Sequence, residues 1–271
     1  MTADRIALPW SSFWITGGSS GIGAALAREV AGPAVTVYLS GRSPERLEEV
    51  AQECRARGAT VHTVAFDMAD ATARGAAVAG ILAAEPIPEV LINNAGLSQR
   101  GTAEETAFSV DRTIMEVDFL AAVELTKALL PSMRARGSGC IVAVSSVAAL
   151  APVPLRSSYN AAKAAQLAFF GTLANEIADS QIAVHLVVPG FVKTEVSRNA
   201  LTGSGSASGR MDPNQSAGID GKTAARDILQ GIAAGKRRIY TGLTFKLRLM
   251  VFLARRVPGF LDRILQKTEV R

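Results

Sequence analysis

The sequence predicts a single doubly wound α/β domain, a parallel sheet with helices on both faces, and three observations carry that prediction. Short apolar runs alternate with longer amphipathic stretches along most of the chain. A glycine-rich turn follows the first apolar run and opens the first helical stretch. No internal repeat and no second core interrupt the order. At 271 residues, 48% hydrophobic and 20% charged, the chain is long enough for one sizeable core and too apolar for disorder.

Segments 13–16, 35–40, 60–67, 90–93, 140–145 and 182–188 are short apolar runs, expected as strands buried on both faces. Segments 22–31, 44–57, 109–136 and 157–180 have helical spacing and length. Residues 197–221, rich in Gly, Ser, Asn and Asp, are expected to form a long, mobile loop. Cys54 and Cys140 have neither metal-ligand spacing nor the density of a disulfide framework, so no metal site is expected and a reducing compartment is. His62 and His185 lie in alternating apolar runs and are expected to be structural. The opening MTADRIALPW lacks a basic region followed by an apolar stretch, and the longest charge-free stretch, 137–155, is broken by Ser145, Ser146, Pro152 and Pro154. Neither a secretory signal nor a membrane span is expected, and the location expected is cytoplasmic.

Chemistry first becomes visible at Thr16-Gly17-Gly18-Ser19-Ser20-Gly21-Ile22-Gly23. Small residues let the backbone turn sharply and approach a pyrophosphate, and a helix N-terminus offers free N–H groups with a partial positive charge. A tight strand–helix turn would use similar residues, but the position between the first strand and helix favours a Rossmann-type dinucleotide site. Gly17, Ser19, Ser20, Gly21, Ile22 and Gly23 are its candidate contacts. The second strand ends in Ser40-Gly41-Arg42-Ser43. No carboxylate stands there to accept from a ribose 2′-OH, whereas Arg42 suits a 2′-phosphate, so NADP(H) is favoured over NAD(H).

Tyr159 and Lys163, four apart on a helical segment, share one face a turn apart. Such a pair is poor evidence alone. Its context gives it weight: Ser146 and the run Asn93-Asn94-Ala95-Gly96 stand at strand ends, which face the crevice of a doubly wound sheet.

Together these residues resemble the short-chain dehydrogenase/reductase family over nearly the whole chain. The matching features are TGGSSGIG at 16–23, NNAG at 93–96, Ser146, Tyr159-x-x-x-Lys163, and Pro189-Gly190 followed by Thr194. The resemblance implies that Tyr159 gives a proton to a carbonyl oxygen as hydride arrives, or removes one from an alcohol in reverse. Lys163 would bond the nicotinamide ribose and favour the phenolate by its charge. Ser146, with Ser145 the neighbouring alternative, would steady the developing charge on the substrate oxygen. Asp67 and Met68 would lie at the adenine, Asn93, Ala95 and Gly96 along the adenosine side, and Pro189, Gly190, Val192 and Thr194 toward the carboxamide. Asp67 also reads as a helix N-cap.

One departure stands out: Asp118 occupies the place of the family's usual asparagine, which supports a proton-relay water chiefly through its backbone carbonyl. The resemblance further implies a homodimer or homotetramer paired through 109–136 and 157–180. It makes 197–221 a lid over the substrate, 222–235 the last surface helix and 237–241 the final strand. Residues 1–241 would then form the catalytic domain.

Residues 222–271 hold twelve Lys/Arg and three Asp/Glu, a balance of +9; the whole chain is +5, so 1–221 carry −4. Within the basic, amphipathic extension 242–271, Arg248 and Arg255 would share one helical face and Leu247, Met250 and Leu253 much of another, before Pro258-Gly259 starts a second short piece. This extension either packs on its own domain or a partner subunit, or lies on a membrane surface with its basic side chains on anionic headgroups. Its many aliphatic and few aromatic residues argue against nucleic acid. It resembles the ends of acyl/alkyl-dihydroxyacetone-phosphate reductases and hydroxysteroid dehydrogenases, which implies a hydrophobic or lipid-like ketone or secondary alcohol as substrate. The alternative from another class is a nucleotide-sensing regulatory protein with weak turnover, for which Asp118 is the one supporting feature.

Overall fold

A computed structural model of the chain describes residues 6–266. Its first half runs β1 (Ser12–Thr16), α1 (Gly21–Val30), β2 (Thr36–Gly41), α2 (Pro44–Arg55), β3 (Thr60–Ala65), α3 (Ala71–Leu82) and β4 (Val90–Asn93). A two-residue strand, β5 (Gln99–Arg100), leads into α4 (Phe108–Met115), a π-helical turn (Glu116–Leu120) and α5 (Ala121–Arg136). Next come β6 (Gly139–Val144), a 3-10 turn (Val147–Ala149), α6 (Ser157–Glu176) and β7 (Ile182–Pro189). The chain continues through β8 (Leu201–Thr202), α7 (Pro213–Ser216), α8 (Gly221–Ala233), β9 (Arg238–Thr241), α9 (Phe245–Arg256) and α10 (Pro258–Gln266).

The main sheet is parallel throughout, in the order β3-β2-β1-β4-β6-β7-β9. The order reverses at β1, so the crevice opens beyond the carboxyl ends of β1 and β4, as the doubly wound topology requires. Strand alternation divides the core into two layers. Phe13 and Ile15 face Leu26 of α1, Leu47 of α2 and Ile228 of α8, while Trp14 faces the opposite layer with Leu125 of α5 and Phe170 of α6. Each such buried side chain contributes roughly 1.5–3 kcal/mol relative to exposure.

The fold corrects two expectations and adds two features that none foresaw. Strand β3 is an edge strand, half exposed, and His62 on it stacks on Tyr38 with ring centroids 5.0 Å apart. The helix expected over 109–136 runs unbroken from Phe108 to Arg136, with a π-helical turn at Glu116–Leu120 in which Asp118 is buried. The helix α3 has no expectation behind it, because its Ala- and Gly-rich run shows little amphipathic contrast; Asp70 caps it, accepting from the Thr72 and Ala73 N–H groups. Finally, 197–221 is not a bare loop. Strand β8 pairs with β5, Val192 bridges Ile219, and Asp212 pairs with Arg156 at 3.0 Å. Its backbone is held by partners outside the segment, which composition alone does not reveal.

His185 is buried, with Nδ1 2.8 Å from the Lys236 carbonyl oxygen, and burial lowers its pKa. Both cysteines are free and buried, and burial pushes the Cys54 thiol up to about 11.

Candidate active site

A cleft of about 250 Å³ lies over the carboxyl ends of the strands. Its phosphate end is the turn between β1 and α1. Gly17 and Gly21 adopt φ of +63° and +54°, which only glycine takes without strain. Asn94 closes the turn, its Nδ2 donating to the Thr16 carbonyl oxygen at 2.9 Å while its N–H donates to the Thr16 hydroxyl at 3.0 Å. Ser20, the N-cap of α1, makes no side-chain capping bond, so the first N–H groups of the helix have no acceptor from it. This cradle fits a pyrophosphate.

Gly17, Ser19, Ser20, Gly21 and Ile22 line the cleft, whereas Gly23 does not. Gly23 is needed for a different reason. A Cβ there would lie 2.3 Å from the Gly17 oxygen and 2.5 Å from Asn94 Nδ2. Gly23→Ala must therefore open the turn, and its urea-unfolding midpoint should report a loss of about 1–3 kcal/mol.

At the adenosine end, Arg42 is exposed on the cleft wall and pairs with no carboxylate among the described residues. Asp67 and Met68 also line the cleft. Asp67 does not cap α3, a role that falls to Asp70; instead it accepts the Ala69 N–H at 2.9 Å. Beneath them is a residue sequence reasoning missed. Buried Arg74 donates to the Met68 carbonyl oxygen and pairs with Glu116 at 2.8 Å and with Glu124, tying the Met68 loop to the π-helical turn. An arginine in an alanine-rich helix was the only available signal.

Asn93 requires a correction. It is 2% exposed, donates to the Thr126 hydroxyl at 3.0 Å and does not line the cleft. Successive side chains leave a strand on opposite faces, so Asn93 turns to α5 and its neighbour Asn94 turns to the glycine turn. Ala95 and Gly96 do line the cleft. Gly96 leaves little room, since a Cβ would lie 3.1 Å from Lys163 Nζ and 3.3 Å from Asp118 Oδ1 and would press on that pair.

Ser146, Tyr159 and Lys163 meet in the cleft. Lys163 is 4% exposed, and its Nζ donates to the Val144 carbonyl oxygen at 3.1 Å. That ammonium stands 5.9 Å from the Tyr159 ring centroid. The two serines divide their work. Ser145 Oγ donates to the Lys163 carbonyl oxygen at 2.7 Å, binding α6 to β6. Ser146 Oγ accepts the Ala148 N–H at 3.2 Å, which leaves its own hydrogen for another acceptor.

Asp118 lies beneath this group, fully buried. Its Oδ1 accepts the Leu97 N–H at 2.6 Å and its Oδ2 sits 3.4 Å from Lys163 Nζ. Burial pushes the carboxyl above the ordinary carboxylate range, opposed by the Lys163 ammonium and the Leu97 N–H. The charge that departs from the family pattern thus touches the lysine of the site.

Pro189, Gly190, Val192 and Thr194 line the far wall. Val196, Asn199 and Gln215 join them from or beside the segment expected as a lid. Gln215 Nε2 donates to Thr194 Oγ1 at 3.0 Å, a contact across the cleft's edge with no sequence signature.

Comparison with known proteins identifies the family. The family model described as short chain dehydrogenase matches residues 12–204. The chain is 39% identical over 256 residues to "Dehydrogenase/reductase SDR family member 7B" of Mus musculus, covering 93% of this chain and 79% of that protein. Its fold is similar to that of a short-chain dehydrogenase from Sphingobium yanoikuyae in complex with NADPH (TM-score 0.77, 24% identity, 97% and 98% of the two chains). It is also similar to a short-chain dehydrogenase/reductase from Burkholderia phymatum in complex with NAD (TM-score 0.80, 21% identity, 99% of each chain). Matched across most of its length by family model and relative alike, the chain belongs to the short-chain dehydrogenase/reductase family, oxidoreductases built on a fold that binds a nicotinamide cofactor.

Proposed function

We propose that the chain is an NADP(H)-dependent oxidoreductase interconverting a ketone and a secondary alcohol, with a hydrophobic or lipid-like substrate. The observation that carries this reading is the convergence of Ser146, Tyr159 and Lys163 on the cleft that also holds the glycine turn and Arg42. The bound cofactor supplies or accepts the hydride at the substrate carbon. Gly17, Ser19, Ser20, Gly21 and Ile22 hold the pyrophosphate; Asp67 and Met68 hold the adenine side; Ala95, Gly96, Pro189, Gly190, Val192 and Thr194 line the path to the nicotinamide.

In the reducing direction Tyr159 donates its hydroxyl proton to the carbonyl oxygen, so that oxygen becomes the alcohol hydroxyl. Ser146 donates a hydrogen bond to the same oxygen, for which its hydroxyl hydrogen is available. The Lys163 ammonium stabilises the phenolate left on Tyr159. In reverse, Tyr159 takes the proton back. Leu97, Val117 and Val196 contribute apolar wall, which suits a hydrophobic substrate. Self-association as a homodimer or homotetramer belongs to the same reading and is supported by the exposed Phe108 and Leu120 on α4 and the π-helical turn.

Arg42 is the basis for NADP(H). It meets no carboxylate among the described residues, leaving its guanidinium for a 2′-phosphate. Arg42→Ala should raise KM for NADPH by about 10- to 100-fold, the loss of one charge-assisted contact, and leave KM for NADH nearly unchanged. Equal effects on both would remove the preference.

One observation favours a nucleotide-sensing protein of weak turnover instead: Lys163 is already engaged by Asp118 and Val144. A ketone panel with NADPH and NADH separates the two. Tight NADPH binding without ketone-dependent oxidation, in wild type and Asp118→Asn alike, would favour the sensor.

A further inference from the structure

The C-terminal helices carry a surface that the cleft chemistry does not use. Leu247 of α9 is buried against Val147 and Val188, with Met250 and Val251 packed beside it. Gly190 makes this seat possible, since a Cβ would meet the Gly242 oxygen at 2.3 Å and Leu247 Cδ1 at 2.9 Å. Because Val147 follows Ser146 and Gly190 lines the cleft, α9 sits at the cleft end of the sheet. The opposite side of α9 is bare. Phe245, Leu249 and Phe252, at i, i+4 and i+7, form one stripe and are 82%, 46% and 57% exposed. Val257 and Phe260 continue the apolar surface across the break into α10.

Of the nine exposed large apolar side chains among the described residues, six fall between Phe245 and Ile264, so this is a patch and not scatter. Cations flank it. Arg248 and Arg255 lie along one edge of the stripe, Lys246 along the other and Arg256 at its end, with Arg263 on α10. Asp262 is the single carboxylate between residues 245 and 266.

We propose that α9 and α10 form a dock for an anionic lipid surface, with Phe245, Leu249, Phe252 and Phe260 entering the acyl boundary and the cations meeting headgroup phosphates. A second copy of this chain fits poorly, because a symmetric contact would set five cations against five with one carboxylate each to offset them. At twelve and nine residues the helices lie in the interface; no described helix is long and apolar enough to cross a membrane.

The test is flotation of the full chain with phosphatidylcholine vesicles, alone or with about 30 mol% phosphatidylserine. The wild type should bind the anionic vesicles at least ~10-fold more tightly, and added salt should reverse this. Replacing the stripe by Phe245→Ser, Leu249→Ser and Phe252→Ser should weaken binding by ~10-fold or more. Arg248→Glu with Arg255→Glu, which leaves the apolar surface intact, should abolish the preference for phosphatidylserine. A cooperative thermal melt checks that each variant folds. Failure of the wild type to float, or flotation unchanged by both sets of substitutions, overturns the proposal. So does a stripe variant that floats like wild type while light scattering shows a smaller oligomer, since the face would then belong to a second copy. Flotation needs no turnover, so a failed ketone panel leaves this result standing.

Discussion

Tyr159→Phe should lower ketone reduction by about 10²- to 10⁴-fold while NADPH still binds, because only the transferable proton is removed. The ring of Tyr159 packs with Val110, Ile114 and Ala162, and a phenyl ring keeps those contacts. The loss should therefore appear in kcat far more than in KM, as for an interaction made in the transition state. Stopped-flow oxidation of NADPH at saturating ketone, with cofactor fluorescence as the binding control, measures both. Wild-type turnover in the variant would remove Tyr159 from the chemistry and leave Ser146 or a water as proton donor.

The second large effect is expected on stability, at Asp118. Asp118→Ala strips the buried Lys163 ammonium of its counter-charge and the Leu97 N–H of its acceptor. Removing one partner of a buried pair costs about 3–5 kcal/mol, far more than the pair itself contributes. Asp118→Asn keeps an acceptor for Leu97 and should lose less. The pH dependence separates charge from shape. The folded-state pKa of Asp118 is raised, so its proton is held more tightly folded than unfolded. Its favourable contribution is complete below the ordinary carboxylate range and fades as pH rises through the raised value. Asp118→Asn should flatten that fall, which urea midpoints between about pH 4 and 8 will show. Parallel slopes in variant and wild type would mean that Asp118 titrates as an ordinary carboxylate.

The site was legible in proportion to how local its chemistry is. Gly17 and Gly21 announce themselves because a positive φ leaves few alternatives. Tyr159 and Lys163 are visible because helical geometry alone puts residues four apart on one face. The spacing to Tyr159 favours Ser146 over Ser145, while only the structure shows that the Ser145 hydroxyl donates to the Lys163 carbonyl oxygen. Asn93 was placed wrongly because both residues of an Asn-Asn pair suit a strand end, and only packing against Thr126 shows which one turns away.

By itself the sequence determined the alternation of strand and helix, the glycine turn and the order of the candidate site residues. Each follows from periodicity, backbone sterics or spacing within a few residues. The tertiary structure alone decided that Asp118 is buried on Lys163, that Gln215 reaches Thr194, and that β5 and β8 hold the segment over the cleft. It also decided which face of α9 packs and which stays bare. The reason is common to all of these. Burial, desolvation and pairing are set by partners distant in the chain, and a sequence displays neighbours, not partners.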